Sequence, residues 1–168
     1  MSRAAAVNAV LAALLVGLIA WLVVFAVRGA AAAPGSTPAE EKAQEYTAIT
    51  RAARSQTVAF LTVDHENMDE LIERVLDGAT GDFKKQYQSS AKSLKDATES
   101  QKSVSTGRVN QIGLGEVDGD SASVFVAASS KVKNTSTEGK TEDRSWRMKL
   151  TMAKEGDRWL VSQVEFVG

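Results

Sequence analysis

Residues 104–128 read VSTGRVNQIGLGEVDGDSASVFVAA, and the pattern of this stretch decides the fold. Ala122, Val124, Val126 and Ala128 alternate with Ser123, Phe125 and Ala127. Such a period of two marks a strand with one face buried. Asp118-Gly119 lies between two such runs and predicts a tight hairpin. In the first run Val109, Ile112 and Leu114 supply the apolar positions, and Gly113 and Gly115 predict a bulge or a strong bend. Downstream, a polar loop at 134–140 leads to Trp146, Met148, Leu150 and Met152, which alternate with Arg147, Lys149 and Thr151. Glu155-Gly156-Asp157 then turns the chain into a last strand at 159–167, with Leu160, Ser162, Val164 and Phe166 expected on one side.

Before residue 104 the period is helical. Thr37-Pro38-Ala39-Glu40 combines a capping hydroxyl, a proline for the first helical position and a carboxylate that completes a capping box. Tyr46, Ile49, Ala53, Thr57 and Phe60 follow at helical spacing, which predicts a helix to about Leu61 with one apolar stripe. Residues 62–66 (TVDHE) read as a connector. Asn67 and Glu70 form a second capping-box pattern ahead of Leu71, Ile72, Val75 and Leu76, and Asp77-Gly78 ends that short helix. Thr80-Gly81-Asp82-Phe83 opens a third helix, with Thr80 as its cap and Phe83, Tyr87, Ala91 and Leu94 as its buried stripe. Three helices followed by about four antiparallel strands predict an α+β domain, its helices packed on one face of a curved sheet.

The N-terminal part of the chain is of a different kind. From Ala4 to Val27 no charge interrupts an apolar run, and Arg3 and Arg28 close its ends. At about 1.5 Å per residue a helix of this length spans about 36 Å, enough to cross a hydrocarbon core of about 30 Å. The rival reading is a secretory signal peptide, whose apolar core is usually about 7–15 residues and therefore shorter. Trp21 and Phe25 sit toward the far end of the run, where aromatic rings favour the membrane interface. Ala5, Ala9, Ala13 and Gly17 place small side chains on one helix face, a stripe that admits another helix or follows simply from an alanine-rich anchor. The expected organisation is a transmembrane anchor with a short cytoplasmic stub at 1–28, a Pro-Gly linker at 29–37 and an extracytoplasmic domain at 38–168. The expected location is the inner (plasma) membrane, crossed once.

Composition narrows the function. Without Arg3 and Arg28, 18 of the 20 basic residues remain against 21 acidic ones, a net charge of about −3. A nucleic-acid partner calls for a basic face, so none is expected. The chain has no cysteine, hence no disulfide and no thiolate metal site, and the domain must hold itself by its core. No catalytic, cofactor-binding or metal-binding motif stands out, and the chain is read as a non-enzyme. His65 is the single histidine, flanked by Asp64 and Glu66, and adjacent residues in a connector rarely converge on one metal. Lys85, Lys92, Lys95 and Lys102 fall on one side of the third helix, diluted by Asp96 and Glu99, and read as a solvated face. Asn134-Thr135-Ser136 matches a glycosylation acceptor pattern, to which no weight is given.

The helix, short helix, helix, curved-sheet order ends in a Gly-x-x-Trp-x-Val strand (Gly156, Trp159, Val161) and resembles the NTF2-like, or SnoaL-like, cone fold. Together with a single N-terminal anchor it is similar to the Mce-associated membrane proteins of actinobacteria. The likeness includes the stretch from Phe60 through Leu61, Thr62 and Val63 to Asp64, the Asp69-Glu70 segment, Arg74, and Thr80-Gly81-Asp82-Phe83. The resemblance implies an accessory subunit that stabilises or assembles an Mce-type lipid or sterol transport complex in the cell envelope. Its implied partners are the lipid bilayer, Mce-complex proteins or another envelope assembly, and a lipid or sterol. The anchored cone also resembles VirB8-like components of secretion systems, which is the alternative assembly. A lipid- or sterol-binding module is a further alternative, with Phe60, Tyr87, Phe125, Trp146, Trp159 and Phe166 as candidate cavity residues. NTF2-like enzymes of the isomerase or cyclase type place an Asp beside a Tyr or His, for which Asp64, Asp69 and Tyr87 are the candidates here.

Overall fold

The computed structural model describes Ile19, Trp21 and residues 37–167. Two compact units divide the chain, Met1–Lys42 and Ala43–Gly168. Ile19 and Trp21 are helical and exposed. The rest of the expected anchor, Ala4, Gly17 and Val27 included, lies outside the described residues, as does the linker up to residue 36. Among the described residues no helix is long and apolar enough to cross a membrane.

Eight elements follow in chain order: α1 (Pro38–Leu61), β1 (Val63–Asp64), α2 (Met68–Asp77), α3 (Gly81–Gln101), β2 (Val104–Asp118), β3 (Ser121–Lys133), β4 (Glu142–Glu155) and β5 (Arg158–Phe166). The five strands form one antiparallel sheet in the order β1-β2-β3-β4-β5. The fold class is α+β, as the patterning predicts. The expected count of about four strands falls one short. The missing strand is the two-residue β1 inside the TVDHE connector, which pairs Val63 with Ser105 and Asp64 with Val104. Two residues carry too little period to be read as a strand.

The capping box at the start of α1 forms on both sides. Thr37 N–H donates to Glu40 Oε2 at 2.7 Å, and Glu40 N–H donates to Thr37 Oγ1 at 3.2 Å. These bonds favour the ionised carboxyl of Glu40 and lower its pKa. The other two predicted caps do other work. The Asn67 amide donates to Asp64 Oδ2 at 2.9 Å and gives α2 no side-chain cap. Thr80 is extended, and its hydroxyl bonds to Glu155 instead of closing back on α3. Capping residues bond to whatever acceptor the tertiary fold brings near, and here Glu155 at the end of β4 outcompetes the helix start.

The core lies between α1 and the helix-facing side of the sheet. Ile49, Val75, Val124, Met148, Met152 and Val161 are its largest fully enclosed side chains. All four expected inward positions of β3 are buried: Ala122, Val124, Val126 and Ala128. In β4, Met148, Leu150 and Met152 are buried and Trp146 is partly so. Tyr46, expected on the core stripe of α1, is 42% exposed. The β5 reading needs a larger correction. The register jumps from Thr151↔Gln163 to Met152↔Val161, so Ser162 is an extra residue. A bulge of this kind reverses the alternation. Val161 therefore shares the core face with Val164 and Phe166, while Leu160 falls opposite Ala153 on the other side. Strand β2 carries two further bulges: the one between Leu114 and Val117 contains Gly115, as predicted, whereas the one between Val109 and Gln111 falls at Asn110 and Gly113 is regularly paired with Phe125.

Candidate functional site

At one end of the sheet an open cleft of about 520 Å³ is bounded by the C-terminal ends of α1 and α3 and by residues of all five strands. Its apolar wall holds Phe60, Val63, Trp146 and Phe166. Phe166 leans on Trp146 at 5.8 Å between ring centroids and on Phe60 at 6.3 Å. Phe60 continues the contact inward to Phe83 at 5.8 Å and Tyr87 at 6.2 Å. Tilted and edge-on rings at these separations favour one another through their quadrupoles. This ladder joins β4 and β5 to α1 and α3. Burial raises the Tyr87 hydroxyl pKa, since the phenolate is the form that loses solvation.

Small polar side chains share the lining, among them Thr98, Ser103, Ser105 and Ser130. Several are already engaged. Trp146 Nε1–H donates to Ser130 Oγ at 2.9 Å, and Ser105 Oγ–H donates to the Leu61 carbonyl at 2.8 Å. The rim at 134–140 is tied to itself by Thr137 N–H on Asn134 Oδ1 at 3.0 Å, and to α3 by Thr135 N–H on the Gln101 carbonyl at 2.9 Å. Arg144 stands at the mouth, 3.4 Å from Glu142 Oε2. With aromatic rings and hydroxyls together in its lining, the cleft suits an amphipathic surface. It holds no pair of converging carboxylates.

The six candidate cavity residues therefore part company. Phe60, Trp146 and Phe166 line the cleft, and Tyr87 backs Phe60. Trp159 is buried at the far end of β5, with Lys154 Nζ 5.8 Å from its ring centroid. Phe125 is half exposed on the sheet face turned away from the core. Alternation with Val124 and Val126 already places Phe125 outward, and its aromatic character is a weaker guide than its register. The hydroxyl residues of the lining are legible by the same rule. Ser130 continues the inward register of Ala122 to Ala128, and Ser105 lies opposite Val132.

The acid-base candidates are dispersed. Asp69 is salt-bridged to Lys95 at 2.6 Å and exposed. Asp64 accepts from the Asn67 amide and from Glu66 N–H at 3.1 Å, bonds that lower its pKa and use the carboxylate to close the turn before α2. His65 Nδ1 is enclosed without a hydrogen-bond partner, 3.5 Å from Asp64 Oδ1. Among the described residues no three His, Asp or Glu side chains are grouped to hold a metal. The lysines of α3 are largely neutralised, Lys92 by Asp96 at 2.7 Å and Lys95 by Asp69, and form no free basic face.

A family model described as uncharacterized protein Rv1363c/MT1408-like matches residues 5–168. The chain belongs to this family. The Rv1363c protein of Mycobacterium tuberculosis is 35% identical over 129 residues, covering 77% of this chain and 49% of its own length. The chain thus spans about half the length of the curated relative it matches. Among solved structures, CagV of Helicobacter pylori, a VirB8 homologue of a type IV secretion system, superposes with a TM-score of 0.58. That match has 6% identity and covers 72% of this chain and 97% of CagV. The VirB8 protein of Agrobacterium tumefaciens matches with a TM-score of 0.52 at 9% identity, over 74% of this chain and 92% of VirB8. At these identities the likeness is one of fold. It gives the Rv1363c-like domain the VirB8/NTF2-like architecture that the sequence resemblance implies.

Proposed function

We propose that this Rv1363c-like chain is a non-enzymatic, membrane-anchored subunit that helps assemble a multiprotein machine in the cell envelope. The observation that carries the reading is the VirB8-type fold, found in CagV, a component of a secretion assembly. The burial pattern supports it. The fully buried polar residues among those described are Gln56, Thr57, Thr98, Ser105, Ser130 and Thr137, and His65, whose Nδ1 is enclosed, is itself only partly buried and stands outside the cleft. Proton-transfer chemistry calls for a tuned acid or base in a pocket. The apolar run at 4–27 supports the anchor, with the N-terminus inside and the domain outside. Of the two assemblies suggested by resemblance, the fold neighbours favour the VirB8-like one over an Mce-type lipid or sterol transporter. The open aromatic cleft favours a second reading, a lipid- or sterol-binding module.

The test is crosslinking and purification of the full-length chain from native membranes, paired with deletion. Envelope-assembly subunits should copurify, and their complex should be lost in the deletion strain. A cleft-blocked variant, Ser136→Trp, should restore the complex. Recovery of lipid alone, or a complex indifferent to the deletion, refutes the assembly role, and failure of the blocked variant to rescue favours the binding module.

A further inference from the structure

One edge of the sheet is left open. Strand β1 covers only Val104 and Ser105, so β2 from residue 106 to 118 has no strand partner on that side among the described residues. Arg54 Nη1 donates to the Val109 carbonyl at 3.3 Å, near the start of this edge. Beyond it Asn110, Gln111, Gly113, Gly115 and Glu116 are exposed. A side chain added at Gly113 would meet nothing within 4 Å. Edge strands are commonly guarded by proline or by charge, yet residues 109–115 contain neither.

We propose that this edge pairs with the same edge of a second copy of the chain, antiparallel about Gly113. The argument is a symmetry in the strand. The side chains of β2 opposite the buried positions of β3 are Val109, Ile112, Leu114 and Val117, facing Ala128, Val126, Val124 and Ala122. Two bulges break the simple alternation, one on each side of Gly113, and they break it evenly. A two-fold axis at Gly113 therefore sets Val109 against Val117 of the second copy and Ile112 against Leu114, each apolar residue meeting an apolar one on the same face. On the opposite face it sets Arg108 against Asp118. Both are exposed, and neither is in an ion pair among the described residues. Asn110 meets Glu116 and Gln111 meets Gly115, with no like charges opposed. Opposite charges and matched apolar pairs across strands favour pairing, and a two-fold contact has to be self-complementary in this way. A strand from an unrelated partner would need no such symmetry. The result is one continuous sheet through both copies.

The chain lacks cysteine, which makes the test direct. In the full-length chain in detergent, Gly113→Cys should oxidise to a disulfide-linked dimer, since facing Cα atoms in an antiparallel pair lie about 4.5–5.5 Å apart, within disulfide reach. Ser145→Cys, exposed on β4, should stay monomeric on a non-reducing gel. Sedimentation should show a dimer whose dissociation constant rises about tenfold in Arg108→Asp and returns to within about threefold in the Arg108→Asp/Asp118→Arg swap. Both positions are exposed, and a thermal melt confirms that the variants fold. A monomer at all concentrations, with or without an unrelated strand bound, overturns the proposal. So does a dimer that neither oxidises at position 113 nor responds to Arg108→Asp, or one that the swap fails to restore.

Discussion

The two edges of the sheet are built on opposite plans. At the β5 edge the chain returns to close the sheet. Val161 N–H donates to the Gly78 carbonyl at 3.0 Å, and Thr80 N–H donates to the Val161 carbonyl at 2.8 Å, making a short parallel bridge at Ala79. Arg158 clamps the same segment, reaching Asp77 Oδ2 at 2.8 Å and the Asp77 carbonyl at 3.0 Å. At the β2 edge β1 covers Val104 and Ser105, α1 lies against Gly107, and Arg54 reaches the Val109 carbonyl, while residues 110–118 have no strand partner on that side among the described residues. The difference lies in chain connectivity. The α2–α3 connection passes beside the start of β5 at Val161, and the α1–α2 connection supplies β1 beside the start of β2. Backbone groups must find partners or water; Val161 finds its partners within the fold, and the long run of β2 at 110–118 is left to solvent or to another chain.

Substitutions can break this contrast. The largest effect is expected at Gly107, where an added Cβ would sit 2.6 Å from the Leu61 Cβ and 3.2 Å from the Leu61 backbone carbon. Gly107→Val should push α1 off the strand and cost about 3 kcal/mol in chemical denaturation. At the open stretch of the same strand, Gly113→Ala should stay within about 0.5 kcal/mol of wild type. Equal effects at the two glycines would mean that β2 is covered along its whole length. At the closed edge, Val161 is fully buried. Val161→Ala should cost about 2 kcal/mol, with faster amide exchange at Thr80 as the local readout.

The smallest effect belongs to the clamp. The Arg158 guanidinium holds the Asp77 carboxyl below its ordinary value of 3.8. A lowered folded-state pKa contributes stability above the unfolded value and loses it as pH falls through the folded one. Asp77→Asn should therefore be slightly less stable than wild type at neutral pH, and the two curves should converge below the ordinary carboxylate range. Because the pair is exposed, its effect should also shrink in high salt. A gap that persists in acid would assign the loss to packing at Gly78 and not to the ion pair.

How far the sequence reaches is visible in particular elements. The period-two runs of β3 and β4 name their buried residues one by one, because burial of one pleat face leaves an alternation that cannot be read in another register. The Thr37–Glu40 box forms as its spacing predicts because both partners lie within one helical turn. The Thr80 and Asn67 caps fail where a competitor arrives from elsewhere, Glu155 from the end of β4 and Asp64 from the preceding strand. Of the residues named by aromatic identity, Phe60, Trp146 and Phe166 lie in the lining of the cleft. The same criterion also named Phe125, which lines a separate concavity on the outer face of the sheet, and Trp159, which lines one at the other end of β5.

Composition and local period alone determined the apolar N-terminal run, the three helices, the hairpin at Asp118-Gly119 and the inward faces of the two central strands. These depend on interactions a few residues apart. Only the tertiary structure decided the Ser162 bulge that turns Phe166 toward Trp146 and Phe60, the closure of one sheet edge by residues 78–80, and the exposure of the other. Those outcomes depend on which distant segments meet, and a one-dimensional pattern carries no record of the meeting.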